Sequence, residues 1–318
     1  MENLLEGWKE FLHGKKKKAD VLIFQNNLMQ NIFLLYQDLE TKNYKHSEYQ
    51  VFNILDPKPR VIHKAKVRDR LLHHALYRYL YPFFNKTFIA DSFSCRLTKG
   101  THRAIERFNS YYLKASKNNT RQVWVLKCDI RKFFDSINHK TLLKILGSYI
   151  EDKEIIGLLQ IIIGSFYKRE SGVGLPLGNL TSQLFVNIYM NVFDQFVKHI
   201  LKVKCYIRYS DDFVIVSDNK VWLEEILVKI SVFLDEKLKL SLHPNKVSIN
   251  TFSSGIDFLG WVNFSDHKVL RTKTKKRMFK RLRKSSKEET VNSYLGMLSH
   301  GNTEKLKTKV LNFLQNKG

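Results

Sequence analysis

Cysteine is scarce in this chain: 318 residues contain three, Cys95, Cys128 and Cys205. An odd number at wide separations excludes a disulfide framework and a metal knuckle, and no zinc site is expected. The three read instead as reduced, mostly buried thiols of a cytoplasmic protein. Long apolar runs are missing as well. None approaches the roughly 20 residues a membrane-spanning helix needs, so no membrane partner is expected. The first residues, MENLLEGWKEFLHG, are amphipathic and contain acid, which excludes the apolar core of a signal peptide. Internal repeats and low-complexity segments are absent. Acid is in short supply: 30 Asp and Glu stand against 54 Lys and Arg, a net charge of +24. With a pI near 9.8, such a chain calls for a polyanionic partner, most simply nucleic acid.

Two of those few acids are adjacent. Lys204–Ser217 reads KCYIRYSDDFVIVS: two apolar, β-branched and aromatic runs flank Ser210-Asp211-Asp212, the pattern of a β-hairpin. Its tip lacks the Asn-Gly or Asp-Gly that tight turns prefer. Two neighbouring carboxylates repel, a conflict that a hard divalent cation would relieve.

The rest of the chain is read in order. Residues 1–50 form a helical arm, with Leu4, Leu5, Trp8, Phe11 and Leu12 at helical spacing. Lys15–Lys18 follows, and then a second helical run from Val21 to Leu39. Residues 51–120 begin with the extended VFNILDPKPRVI. RDRLLHHALYRYLYPFF is helical with Leu71, Leu72, Leu76 and Leu80 on one face, and Pro82 is expected to end or kink it. A further helix reaches Tyr112. Gln122–Asp129 is a buried strand ending on Asp129, Phe133–Ile137 a loop, and His139–Ile150 a helix. After the Gly172–Gly178 loop, Asn179 or Thr181 caps a helix running to about Lys202. Past the hairpin come a helix over Val221–Leu238, short strands near Lys239–Leu242 and Val247–Thr251, and the strand-like GIDFLGWV. Strand, helix, hairpin, helix, strand is the order of a split βαβ sheet. In that topology Asp129 lies beside the hairpin tip, and three carboxylates converge. Eleven of the twenty residues from Lys268 to Lys287 are Lys or Arg and none is acidic. Val269, Leu270, Met278, Phe279 and Leu282 give that stretch an apolar stripe, so it is expected to be a basic amphipathic helix tracking a duplex by counterion release.

Converging carboxylates with a phosphate-seeking surface point to two-metal phosphoryl transfer. Asp129 and Asp211 would bridge the ions and Asp212 would be a weaker ligand, with the Ile130 carbonyl a further one. Lys58 with Arg60, or Arg96 with Lys99, could hold a triphosphate, and Lys246 could protonate the leaving group.

From about residue 50 onward the motifs resemble those of reverse transcriptases in order and spacing. KCDIRKFFDSI is similar to the family's first catalytic block, with Asp129 as metal ligand and Phe134, five residues on, as the steric gate against a ribose 2′-hydroxyl. YSDD at Tyr209–Asp212 matches the YxDD signature, HPNK ending at Lys246 the lysine block, and GIDFLGW, with Gly260, the primer grip. PKPRVIHKAKVRDRLLHHAL, FIADSFSCRLTKGTHRAI and GVGLPLGNLTSQLFVN resemble the diversity-generating retroelement group, related to group II intron enzymes. The chain has Leu177-Gly178 and ends that block Ser182-Gln183, unlike retroviral or intron enzymes.

The resemblance implies an α+β right-hand polymerase: a helical arm (1–50), fingers (51–120, with part of 150–178), a split βαβ, ferredoxin-like palm (121–265) and a short basic helical thumb (266–318). It implies Mg²⁺, two ions, with Mn²⁺ an alternative. Leu177 and Gln183 join Lys58, Arg60, Arg96 and Phe134 around the nucleotide. Tyr209, Gly260, Lys275, Lys276, Arg277 and Arg281 face the nucleic acid. The implied partners are an RNA template, a DNA or RNA primer, dNTPs, a template-repeat RNA and a basic oligomeric accessory protein. Copying is expected to be error-prone at template adenines, because an apolar Leu177 cannot make a glutamine's hydrogen bonds to the nascent pair. The shortness of the chain after the thumb argues against an intron enzyme. A phage-defence or otherwise domesticated reverse transcriptase, or a catalytically silent RNA-binding protein on the same fold, are the competing readings.

Overall fold

The computed structural model describes residues 1–56, 58–167, 171–284 and 287–315. Pro57 of the extended segment, 168–170 of the expected fingers insertion, and Ser285 and Ser286 of the basic run lie outside the described residues.

Three helices open the chain: α1 (Glu2–Phe11), α2 (Ala19–Asn26) and α3 (Leu28–Glu40). Their apolar residues Leu4, Trp8, Phe11, Val21, Ile32 and Leu35 are buried against α4 (Val67–Thr87). Pro82 neither ends α4 nor bounds it; the helix runs five residues further. Leu80 and Tyr81 before Pro82 and Phe84 after it are all buried. Packing on both sides outweighs the one backbone bond that proline removes. Between α3 and α4 a two-stranded ribbon, β1 (Gln50–Ile54) and β2 (Arg60–Lys64), stands out from the body. Next come α5 (Thr101–Ala115) and β3 (Trp124–Asp129). The expected loop at 133–137 is a 3₁₀ turn over Phe133–Ser136. Beyond it lie α6 (His139–Gly147), α7 (Lys153–Gly164) and α8 (Leu180–Gln195), the last continued as a π-helical turn to Ile200.

The central sheet is antiparallel throughout. Its strand order is β4 (Tyr206–Tyr209), β5 (Asp212–Ser217), β3, then β6 (Ser248–Thr251), with α9 (Lys220–Leu238) between β5 and β6 in sequence. Val125, Leu126, Ile207, Val214 and Ile215 are completely covered. That is why β3 and β5 read as continuous apolar runs rather than alternating ones. The strand expected at Lys239–Leu242 reduces to a single bridge, Ile130 to Leu242. A second sheet, β7 (Ile256–Phe258), β8 (Trp261–Asn263) and β9 (Lys268–Leu270), leads into α10 (Thr272–Lys284), α11 (Glu288–Leu298) and α12 (Glu304–Gln315). Met278 and Leu282 anchor α10 on Trp261, Leu270, Val291 and Leu298, and its cations face outward. Among the described residues no helix is long and apolar enough to cross a membrane.

Candidate active site

β3 delivers Asp129 to the end of the sheet, where its register partner on β5 is Asp212. β4 and β5 are joined by a two-residue turn, Ser210-Asp211, closed by the pair Tyr209 and Asp212. Ser210 has φ +59°. A side-chain-bearing residue takes that left-handed conformation at a cost of about 1 kcal/mol, so the turn is strained at the tip, as functional turns often are. The Asp211 carbonyl accepts from Ile130 N (3.3 Å), tying the turn to the residue after Asp129. On the other side, residues 241–246 cross the exit of β3. His243 N donates to the Asp129 carbonyl (2.8 Å) and Arg131 N to Ser241 O (2.9 Å). That crossing brings Lys246 Nζ to 2.8 Å from Asp129 Oδ1, where it donates a charge-assisted hydrogen bond.

Two acids at this corner are perturbed in the direction that binding chemistry exploits. Burial, joined by the charge of Asp129, holds the Asp211 carboxyl above the usual carboxylate range. Asp212 is pushed up to about 6, by burial first and by the charge of Asp211 second. Lys127 opposes that rise; its Nζ donates to the Asp257 carbonyl on β7. Among the described residues no three His, Cys, Asp or Glu side chains are gathered around one point as finished metal ligands; Asp129 is turned to Lys246 instead. The donor chemistry nevertheless fits a hard divalent ion. Carboxylates from two segments meet here, and burial and mutual repulsion oppose their charge, a cost that a cation removes.

The other expected residues divide. The Phe134 carbonyl accepts from Leu175 N (2.8 Å), which fastens the 3₁₀ turn after β3 to the loop before α8. The Leu177 carbonyl accepts from His63 N on β2 (3.2 Å). Asn179 does not cap α8 with its side chain; its Nδ2 donates to the His63 carbonyl (3.0 Å) instead. The ribbon is thus strapped to the loop that carries Leu177. Gln183 sits half-buried in the first turn of α8. Tyr209 closes the turn, and its hydroxyl accepts from Thr101 at the start of α5 (3.3 Å). Gly260, with φ +89°, makes the β7–β8 turn, and its carbonyl accepts from Arg271 N just before α10 (3.1 Å).

Arg96 is placed otherwise than expected. Its guanidinium donates to the Asn85, Ile89 and Ser92 carbonyls and to Asn85 Oδ1, and it lies over the Phe88 ring. These groups cluster around the C-terminal end of α4, where helix carbonyls lack partners. Lys99 likewise donates to the Ala90 carbonyl. Lys58 and Arg60 face α10 across a cleft of about 850 Å³ whose lining includes nine Lys or Arg residues and one acid, Asp56. Lys276, Arg277 and Arg281 line the same cleft and Lys275 does not. Asp56 lies within 3.5 Å of Arg281 and 4.0 Å of Arg277. Sequence reasoning missed Lys127 and Asp56. A lysine inside the otherwise apolar WVLKC was the available sign of the first.

Known proteins can be compared with this arrangement. Residues 45–263 match the family described as reverse transcriptase (RNA-dependent DNA polymerase). The chain is similar to protein YkfC of Escherichia coli, at 27% identity over 248 residues, 66% of this chain and 62% of that protein. It is also similar to the group II intron-encoded protein LtrA of Lactococcus lactis, at 24% identity over 297 residues, 72% of this chain and 47% of that one. It therefore spans less than two thirds of either relative. Among solved structures it resembles apo telomerase from Candida tropicalis, with a TM-score of 0.55 at 14% identity, covering 72% of this chain and 49% of that one. At such identity the likeness concerns the mixed helix-and-sheet fold.

Proposed function

The chain belongs to the reverse transcriptase family, and from that premise we propose that it is an RNA-directed DNA polymerase of the diversity-generating retroelement kind. The observation that carries the polymerase reading is the corner at which Asp129 and Asp212 pair across β3 and β5 with Asp211 in the adjoining turn. In this reading residues 1–50 are the helical arm, the ribbon and α4–α5 the fingers, the central sheet the palm, and α10–α12 the thumb. Divalent cations held by the three aspartates, Mg²⁺ or Mn²⁺, would supply charge stabilisation at the attacking and leaving oxygens of an in-line displacement. The chain's own groups do the rest. Phe134 and Leu177 shape the space beside the incoming sugar and base. Arg60 and Lys58 attract the triphosphate. Lys246 releases Asp129 and donates its proton to the departing pyrophosphate. The cleft of Lys276, Arg277 and Arg281 holds template and primer through their phosphates.

The retroelement assignment rests on the block from Leu177 to Gln183. An apolar side chain held at the nucleotide by the ribbon offers no hydrogen bond with which to reject a wrong base. Template-repeat RNA and a basic accessory protein are the partners that this reading calls for.

Primer extension on a defined RNA with Mg²⁺, wild type beside Asp211→Asn, tests both levels. Extension lost in the variant supports the polymerase, and sequenced errors concentrated opposite adenine support the subgroup. Accurate products would retain the polymerase and remove the subgroup. No extension even with the cognate RNA and accessory protein would overturn both. Leu177→Gln is expected to lower misincorporation opposite adenine by about tenfold; unchanged errors would sink that explanation.

A further inference from the structure

Beneath the Ser210-Asp211 turn lies a charged group that the reaction does not require. Arg208, on β4, is completely buried, and so is Asp194 in the last turn of α8. The two meet in a fork: Nε donates to Asp194 Oδ1 (2.8 Å) and Nη2 to Asp194 Oδ2 (2.6 Å). Nη2 also donates to Ser92 Oγ (3.0 Å), and Nη1 to Asn187 Oδ1 (3.3 Å) and the Ser210 carbonyl (3.1 Å). Five donors meet five acceptors, the full capacity of a guanidinium. Asp194 is held in turn by the Tyr206 hydroxyl (2.7 Å). The strand itself is clamped beside Ser92: Arg208 N donates to the Asp91 carbonyl and Phe93 N to the Arg208 carbonyl, each at 3.0 Å.

A buried ion pair is a poor source of stability, since apolar residues of equal volume commonly fold as well or better. Stability therefore does not explain this one. Its geometry does something an apolar pair cannot. The planar fork fixes the guanidinium on α8, and the remaining Nη1 proton reaches past the end of β4 to hold the carbonyl of Ser210, the residue with the left-handed φ. We propose that Arg208, anchored by Asp194, Asn187 and Ser92, is the positioning residue that keeps this strained turn in the shape that presents Asp211 and Asp212. The inference rests on the polymerase reading for its consequence and on the hydrogen bonds alone for its geometry.

The test compares Arg208→Lys, which keeps a cation against Asp194 but lacks the fork, with the uncharged pair Arg208→Met/Asp194→Leu. Hydrogen exchange is read on the segment 206–217, alongside kcat and the KM for primed template. Faster exchange at the turn by about tenfold, with α8 and β3 unchanged, is expected. A kcat lowered about 10- to 100-fold at unchanged KM is expected with it, the scale of a 1 Å misplacement. If either variant folds with wild-type exchange at the turn and wild-type kcat, the inference is overturned. Should both fail to fold, Asn187→Ala or Ser92→Ala removes one anchor and leaves the ion pair; a several-fold loss of kcat supports the inference and none overturns it. A wild type inactive even with its cognate RNA and accessory protein would refute the polymerase reading, and exchange at the turn would still decide the positioning role.

Discussion

The aspartate corner and the cleft between ribbon and α10 handle charge in opposite ways. At the corner Asp129 is buried and Asp211 and Asp212 are half-buried, and their backbones are bonded to neighbouring segments. In the cleft many cations stand on long exposed stems, with apolar anchoring only on the far side of α10. The corner works by geometry, where a displacement of an ångström matters. The cleft works by summed charge, where no single side chain matters much.

The largest contrast should come from single substitutions. Asp129→Asn or Asp211→Asn is expected to reduce primer extension by about 10³-fold, and to abolish a rise in Tm that Mg²⁺ is expected to give the wild type. Single alanines in the cleft should leave both nearly intact; comparable losses there would break the distinction. Removing Lys276, Arg277 and Arg281 together should instead flatten the salt dependence of template binding, by roughly 0.9 per charge in the log–log slope. An unchanged slope in filter binding or anisotropy would mean that the duplex runs elsewhere.

Burial sets the response to acid as well. The His73 ring is buried, neither of its nitrogens has a hydrogen-bond partner among the described residues, and it stacks on His46 at 5.3 Å. Burial, with His46, His74 and Arg70 close by, lowers its pKa to about 3. Its stability contribution is complete above its ordinary value of 6.5 and is lost as pH falls toward 3, by up to ~1.4 kcal/mol per pH unit. Thermal melts of His73→Leu should show a shallower decline from pH 7 to 5; an unaltered slope would place the proton uptake elsewhere. The smallest effect is expected at Asp56. Asp56→Asn removes the one acid lining the cleft and should tighten RNA binding by about threefold.

The sequence made some of this legible and hid the rest for identifiable reasons. Asp129, Asp211 and Asp212 could be read because strand-ending acids interrupt apolar runs, and paired strands leave such acids little choice of neighbour. The amphipathic basic helix was equally plain, since its apolar stripe has helical spacing. Arg96 is ambiguous in sequence because a guanidinium at the end of a helix and one over a triphosphate look alike in a string of letters. Pro82 does not end α4 because its cost is local while the packing that offsets it comes from α1 and α8. Asn179 satisfied a strand rather than a helix end, a choice that only the position of the ribbon decides. The match over residues 45–263 gives the family and the likeness to solved structures gives the fold; the finer roles rest on the motifs.

The strap between His63, Leu177 and Asn179 makes the ribbon and the loop before α8 one mechanical body. Ile62 presses the point home: a methyl group on Gly178, itself at φ +107°, would come within 3.0 Å of it. A displacement of the ribbon therefore also shifts the backbone of Leu177. In the proposed polymerase, a load on the template that displaced the ribbon would reach Leu177, and copying accuracy would vary with that load.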